Sequence, residues 1–161
     1  MGLDMYLIKR KKDITSRDYW NFDNEEMYWR KANEIHKFFC DNCEEIEEGI
    51  VYKVTKDNLL DLLGKCNKIL EIVKTKKGTI RNGQKYNLEK QTWEDILEEG
   101  IVIENEEEIK EVLPTQSGFF FGSTDYDEYY LERIKNTQTH LEMILSTIDF
   151  DIYDMYYLAS W

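Results

Sequence analysis

Apolar residues along this chain follow two rhythms, separated by stretches that follow neither. Between Met1 and Lys9, Leu3, Met5 and Leu7 lie on one side of an extended chain while Tyr6 and Ile8 lie on the other. Both faces could therefore be covered, and the segment predicts an interior strand. From Glu25 to Asn42 the spacing turns helical, because Tyr28, Ala32, Ile35 and Phe39 fall at i, i+4, i+7 and i+11 and build one stripe. Ile50 to Val54 reads as a strand. Thr55 and Asp57-Asn58 then open a helix that carries Leu59, Leu62, Leu63, Cys66, Ile69, Leu70 and Val73 at helical spacing, and this is the clearest element in the chain. Asp125 to Thr147 predicts a further helix, with Tyr130, Ile134, Thr137, Leu141 and Ile144 on one face. Ile152 to Trp161 predicts a C-terminal strand beside the N-terminal one.

The remaining stretches are read from the absence of a period. Thr15 to Asn24 reads as a loop lying against the body. Glu44 to Glu48 is an acidic turn closed by Gly49. Lys74 to Lys85 is basic and glycine-containing, which predicts an exposed, mobile loop. Tyr86 to Gly100 predicts a short helix, Ile101 to Ile103 a short strand, and Glu104 to Glu111 an acidic connector with a helical turn or two. Together these elements make one α+β domain over residues 1–161. Its small mixed or antiparallel sheet of three to four strands is covered by three main helices.

The stretch from Leu113 to Glu128 leads from the acidic connector into the last helix and holds the only proline of the chain. Pro114 stops whatever helix precedes it. Gly118 and Gly122 bracket Phe119-Phe120-Phe121, and three successive aromatics suit a short strand buried on both faces. Thr124 with Asp127 three residues on fits a capped helix start. A glycine-led helix N-terminus after a strand can also cradle a phosphate. Here Asp125, Asp127 and Glu128 already fill the first turn with negative charge, so a plain capped helix is the stronger reading.

Charge changes the picture of partners. The formal net charge is −12, from 33 acidic against 21 basic residues, which argues against direct nucleic-acid binding. An acidic protein suits a basic groove in another protein, although charge balance also serves plain solubility. No apolar run is long enough for a membrane span and no signal-peptide core stands at the N-terminus, so a cytoplasmic protein is expected. Three cysteines close no disulfide framework there and are expected as thiols.

Candidate chemistry lies beside the Ala32–Phe39 stripe. Trp29, Asn33, His36 and Cys40 form a second row that mixes indole, amide, imidazole and thiol groups. With Arg30 it could hold a ligand carrying a flat ring and negative charge, through stacking on Trp29 and hydrogen bonds from His36 and Arg30. Thr115, Ser117, Ser123, Thr124 and Tyr126 would close such a site from the central stretch. The alternative is structural, with Trp29 packed at a helix–sheet seam and His36 a satisfied boundary histidine. His36, Cys40, Cys43 and Cys66 could also meet at zinc, but this C-x-x-C sits at a helix end with no second pair to answer it, and no cofactor is expected. There is no Ser-His-Asp signature, no paired-histidine metal spacing and no Walker loop. A small metal-dependent hydrolase of a nucleotide or phosphoester would have to use His36 with Asp4, Asp125 or Asp127.

Four stretches carry a resemblance: Met1-Gly2-Leu3-Asp4-Met5-Tyr6; Tyr28-Trp29-Arg30-Lys31-Ala32-Asn33 with His36; Leu113 to Gly122 running on to Tyr126-Asp127; and Tyr157 to Trp161. With them the chain resembles a family of small bacteriophage and prophage proteins, which has no catalytic assignment to carry over. Residues 74–111 lie outside the likeness and read as an insertion. The resemblance implies an accessory protein that binds without catalysis and inhibits bacterial immunity, either by occupying a defence protein or by sequestering a nucleotide-like signal. A virion assembly role with a homo-oligomer interface is a third reading.

Overall fold

A computed structural model of the chain describes residues 2–12, 25–43 and 46–161. Its main sheet has four antiparallel strands in the order β2-β1-β6-β3. Strand β1, Asp4–Lys11, is interior as its pattern predicts, flanked by β2, Glu25–Arg30, and by the C-terminal β6, Tyr153–Ser160. Met5 stands opposite Trp29 and Ala159, and Leu7 opposite Met27 and Tyr157, so these six side chains make one continuous apolar patch on one face of the sheet. Strand β3, Val51–Val54, closes the far edge.

Helices α1, Asn33–Asn42, α2, Lys56–Ile72, and α4, Glu128–Thr147, join this face in one core with Ile35, Phe39, Leu59, Leu62, Ile69, Tyr130, Ile134, Leu141 and Ile144. Each such side chain contributes about 1.5–3 kcal/mol when fully buried. In α2 the Thr55 hydroxyl accepts from the Asn58 N–H while the Asn58 side chain accepts from the Thr55 N–H. That reciprocal cap is what the sequence calls for. The result is α+β, with a short α3, Glu106–Val112, and a separate two-stranded sheet of β4, Thr75–Asn87, and β5, Thr92–Ile103.

Several expectations are corrected. Glu25 to Asn42 is not one helix: Met27 and Trp29 are buried while Tyr28 and Arg30 are exposed, the period of a strand. The break is at Lys31, whose backbone takes a positive φ of 55° as its N–H donates to the Leu3 carbonyl at 2.7 Å. Phe119-Phe120-Phe121 is not a strand. The Phe121 N–H closes a turn onto the Gly118 carbonyl, and the Phe120 carbonyl accepts from Leu3. Phe121 is thereby buried while Phe119 and Phe120 are exposed. The cap of α4 is Asp127 rather than Thr124, its carboxylate accepting from the N–H groups of Tyr129 and Tyr130. Lys74 to Lys85 is no loop and Tyr86 to Gly100 no helix, because both belong to the β4–β5 hairpin. The predicted loop at 15–24 lies outside the described residues.

Candidate functional site

The two segments expected to share a site do meet, and Asn33 joins them. Its side-chain amide donates to the carbonyls of Phe121 at 3.2 Å and Ser123 at 2.8 Å, and its oxygen accepts from the Gln116 N–H at 3.0 Å. The first residue of α1 thus fastens the whole 116–123 loop, and it is fully buried in doing so. Trp29 is buried too, with its indole N–H donating to the Thr137 hydroxyl at 2.9 Å and its ring edge-on to Phe39. His36 lies among Tyr157, Phe121 and Trp161, with Nδ1 2.8 Å from the Tyr157 hydroxyl and Nε2 3.5 Å from Cys40 Sγ. Burial pushes its pKa down to about 4, so the ring is neutral at pH 7. Glu34, on the same helix, is fully buried and paired with Arg133 at 2.7 Å. These polar groups are turned into the core, each with a partner, which is the structural alternative weighed above.

The other predicted residues sit further along the loop. Arg30 and Ser117 are exposed. The Tyr126 hydroxyl accepts from the Thr115 N–H at 2.9 Å, and the Thr115 hydroxyl lies 3.2 Å from the Thr124 carbonyl. The Ser123 hydroxyl donates to Asp125 at 2.6 Å and accepts from Arg81 at 3.1 Å. Thr115, Thr124 and Tyr126 line an open recess of about 710 Å³ between this loop and the β4–β5 hairpin.

The electrostatics of that recess disfavour an anion. Its two cations are already matched, Arg81 by Asp125 at 3.3 Å and Asp95 at 3.6 Å, and Lys110 by Glu106 at 2.6 Å and by Glu107. Asp95, Glu106, Asp125 and Asp127 outnumber Arg81 and Lys110 on its walls, so a phosphate would enter a negative field. Among the described residues, no three His, Cys, Asp or Glu side chains are placed to hold a metal ion. Burial raises the pKa of all three thiols, that of Cys66 to about 12, so none is an activated nucleophile.

The hairpin is the feature that pattern reading missed. Of its two strands only Ile80 and Ile103 are buried. Leu88 at the turn is 82% exposed, Trp93 66%, Leu97 63% and Tyr86 47%. Tyr86 pairs with Trp93, ring centroids 5.5 Å apart, and alternation along β5 places Trp93, Asp95 and Leu97 on one face. Charge is sorted by strand: β4 carries four basic residues and no acid, β5 four acids and no base. Residues 92–111 hold nine carboxylates and one lysine, about two-thirds of the net charge in an eighth of the chain. That run of charge was visible in the sequence, as was the clustering of Tyr86, Leu88, Trp93 and Leu97.

No family model, curated protein or solved structure matches the chain. No helix among the described residues is long and apolar enough to cross a membrane.

Proposed function

We propose that this protein is a non-enzymatic binder that occupies a bacterial defence protein, using the β4–β5 arm and the acidic α3 as its docking surface. One observation carries the binding reading: large apolar side chains stand uncovered on an arm that buries almost nothing of its own. Uncovered aromatic and aliphatic groups gathered in one place mark interaction surfaces. The carboxylates of 92–111 complement a basic groove such as nucleic-acid-handling proteins present, and they speed encounter with it. That the target belongs to bacterial immunity rests on the likeness to phage proteins.

Sequestering a nucleotide signal has less support, because the recess beside the arm is negative and Trp29 and His36 are enclosed. Phosphoester hydrolysis also has less support, because His36, the imidazole it would use, is enclosed in the core.

The test is phage plating on bacteria that carry a nuclease-based defence system, with and without this protein expressed. Wild type is expected to restore plating, and the double variant Trp93→Ala with Leu97→Ala to lose that restoration while keeping its melting temperature. Equal restoration by the double variant would overturn the assignment of the arm.

A further inference from the structure

The C-terminal end of strand β5 already takes hydrogen-bond partners on its outer edge, through one isolated antiparallel bridge. The Ile103 N–H donates to the Tyr126 carbonyl at 3.0 Å, the Ile101 N–H donates to the Glu128 carboxylate at 2.8 Å, and Val102 bridges Asp127 in antiparallel fashion. These bonds lie on the side away from β4. Because backbone groups alternate sides along a strand, Trp93, Asp95, Leu97 and Glu99 present theirs on that same outer edge. The first turn of α4 closes the edge near Glu99, where Tyr129 reaches Glu98 at 3.2 Å. From Trp93 to Leu97, no backbone bond is made on that side among the described residues.

The outer edge of β4 is guarded and that of β5 is not. Natural edge strands are blunted by lysines and bulges. Strand β4 carries Lys76, Lys77, Arg81 and Lys85 and a bulge between Arg81 and Gln84, where Gly83 takes a φ of 87°. Strand β5 keeps a regular backbone, exposes Trp93, Ile96 and Leu97, and sets only carboxylates between them.

We infer that the Trp93–Leu97 edge of β5 receives an extended, basic segment of the partner protein as an added strand. This rests on the reading of the protein as a binder and names how the partner is held. Main-chain bonds to Trp93, Asp95 and Leu97 supply the pairing, as in other cases of strand addition. The incoming strand sets apolar side chains beside Trp93 and Leu97 and cationic ones beside Glu94 and Glu98, the favoured cross-strand combinations. Nucleic acid is excluded as occupant by the same carboxylates.

The probe is a capped heptapeptide alternating lysine and valine, added to the full-length protein, with amide hydrogen exchange read residue by residue. Exchange at Trp93, Asp95 and Leu97 is expected to slow by roughly tenfold or more, as for amides protected by a new ladder. Lys77, Thr79 and Arg81 are expected to stay unchanged, and a glutamate-for-lysine peptide to give no effect. Leu97→Lys leaves the backbone intact while adding the guard residue that β5 lacks, and is expected to weaken the peptide roughly tenfold. Protection appearing on β4, shifts without slowed exchange, no binding at millimolar peptide, or an unaffected Leu97→Lys would each overturn strand addition. Should that happen while the arm variants still lose plating, binding through the arm stands and only its mode is wrong. Slowed exchange with plating indifferent to those variants would sink the functional reading instead.

Discussion

Trp29, Asn33, Glu34 and His36 in the body, and Tyr86, Leu88, Trp93 and Leu97 in the arm, are placed against their residue types. The first set carries an indole N–H, an amide, a carboxylate and an imidazole, yet none is more than 4% exposed and each has a partner. The second set is apolar or aromatic, yet it stands largely in solvent. In the body, polar groups act as fasteners: Asn33 holds the 116–123 loop, and Arg133 ties α4 to α1 through Glu34. Among the described residues no buried side-chain nitrogen or oxygen lacks a hydrogen-bond partner, as a stable interior requires. The arm buries only Ile80 and Ile103 of its two strands, so its other side chains meet solvent more than core. Residue chemistry alone does not mark a site, and what each group already touches decides it.

The sharpest way to break this contrast is to remove one fastener. Arg133→Ala would leave the Glu34 carboxylate fully buried without its cation, and removing one partner of a buried pair costs about 3–5 kcal/mol. Urea denaturation at pH 7 should show the midpoint fall accordingly. Because burial holds the Glu34 pKa above its ordinary value, the deficit should shrink in acid as that carboxyl takes up a proton. A loss below about 1 kcal/mol, typical of exposed ion pairs, would mean that Glu34 finds water.

The body was largely legible in the sequence and the arm was not, for a physical reason. Hydrophobic periodicity reports burial, so it found β1 and β6, which line the core, and α2, whose Leu59, Leu62, Cys66 and Ile69 are buried. It failed at β2, because six residues of strand running into a helix give too short a record. Trp29 and Asn33 then look one helical turn apart when they belong to different elements. It failed on β4 and on most of β5, where both faces are wet and alternation has nothing to express, and found only the Ile101–Ile103 end of β5. The meeting of α1 with the 116–123 loop was foreseen, but the direction in which its polar groups point was not. That depends on Lys31 and Phe120 adopting positive φ, which neither residue type advertises.

A smaller effect tests whether His36 belongs to the core. The unfolded chain takes up a proton near pH 6.5, while the native ring resists protonation until about pH 4. The unfolded state therefore binds more protons in this interval, and the contribution of His36, full above pH 6.5, is lost as pH falls toward 4. A displacement of that size corresponds to about 3 kcal/mol. Glu34 and Asp127 are displaced upward by burial and act in the opposite sense, so the useful quantity is the difference between wild type and His36→Gln. Wild type should lose stability relative to that variant between pH 7 and 4. A constant difference would show that protons reach the imidazole freely and that His36 lines an open site after all.

The smallest effect on stability belongs to the arm. Trp93→Ala removes one ring of the Tyr86–Trp93 pair, worth about 0.5–1 kcal/mol at most for an exposed pair, and little else, since the indole is two-thirds exposed. Thermal unfolding should therefore move by only about 1–4 °C, at roughly 2–4 °C per kcal/mol for a domain of this size. The comparison turns on that near-neutrality. A large side chain whose removal costs the fold almost nothing is not held in place by the fold's own stability. If Trp93→Ala instead cost as much as Arg133→Ala, the indole would be a packing residue of the body, and the arm would lose its claim to be a docking surface.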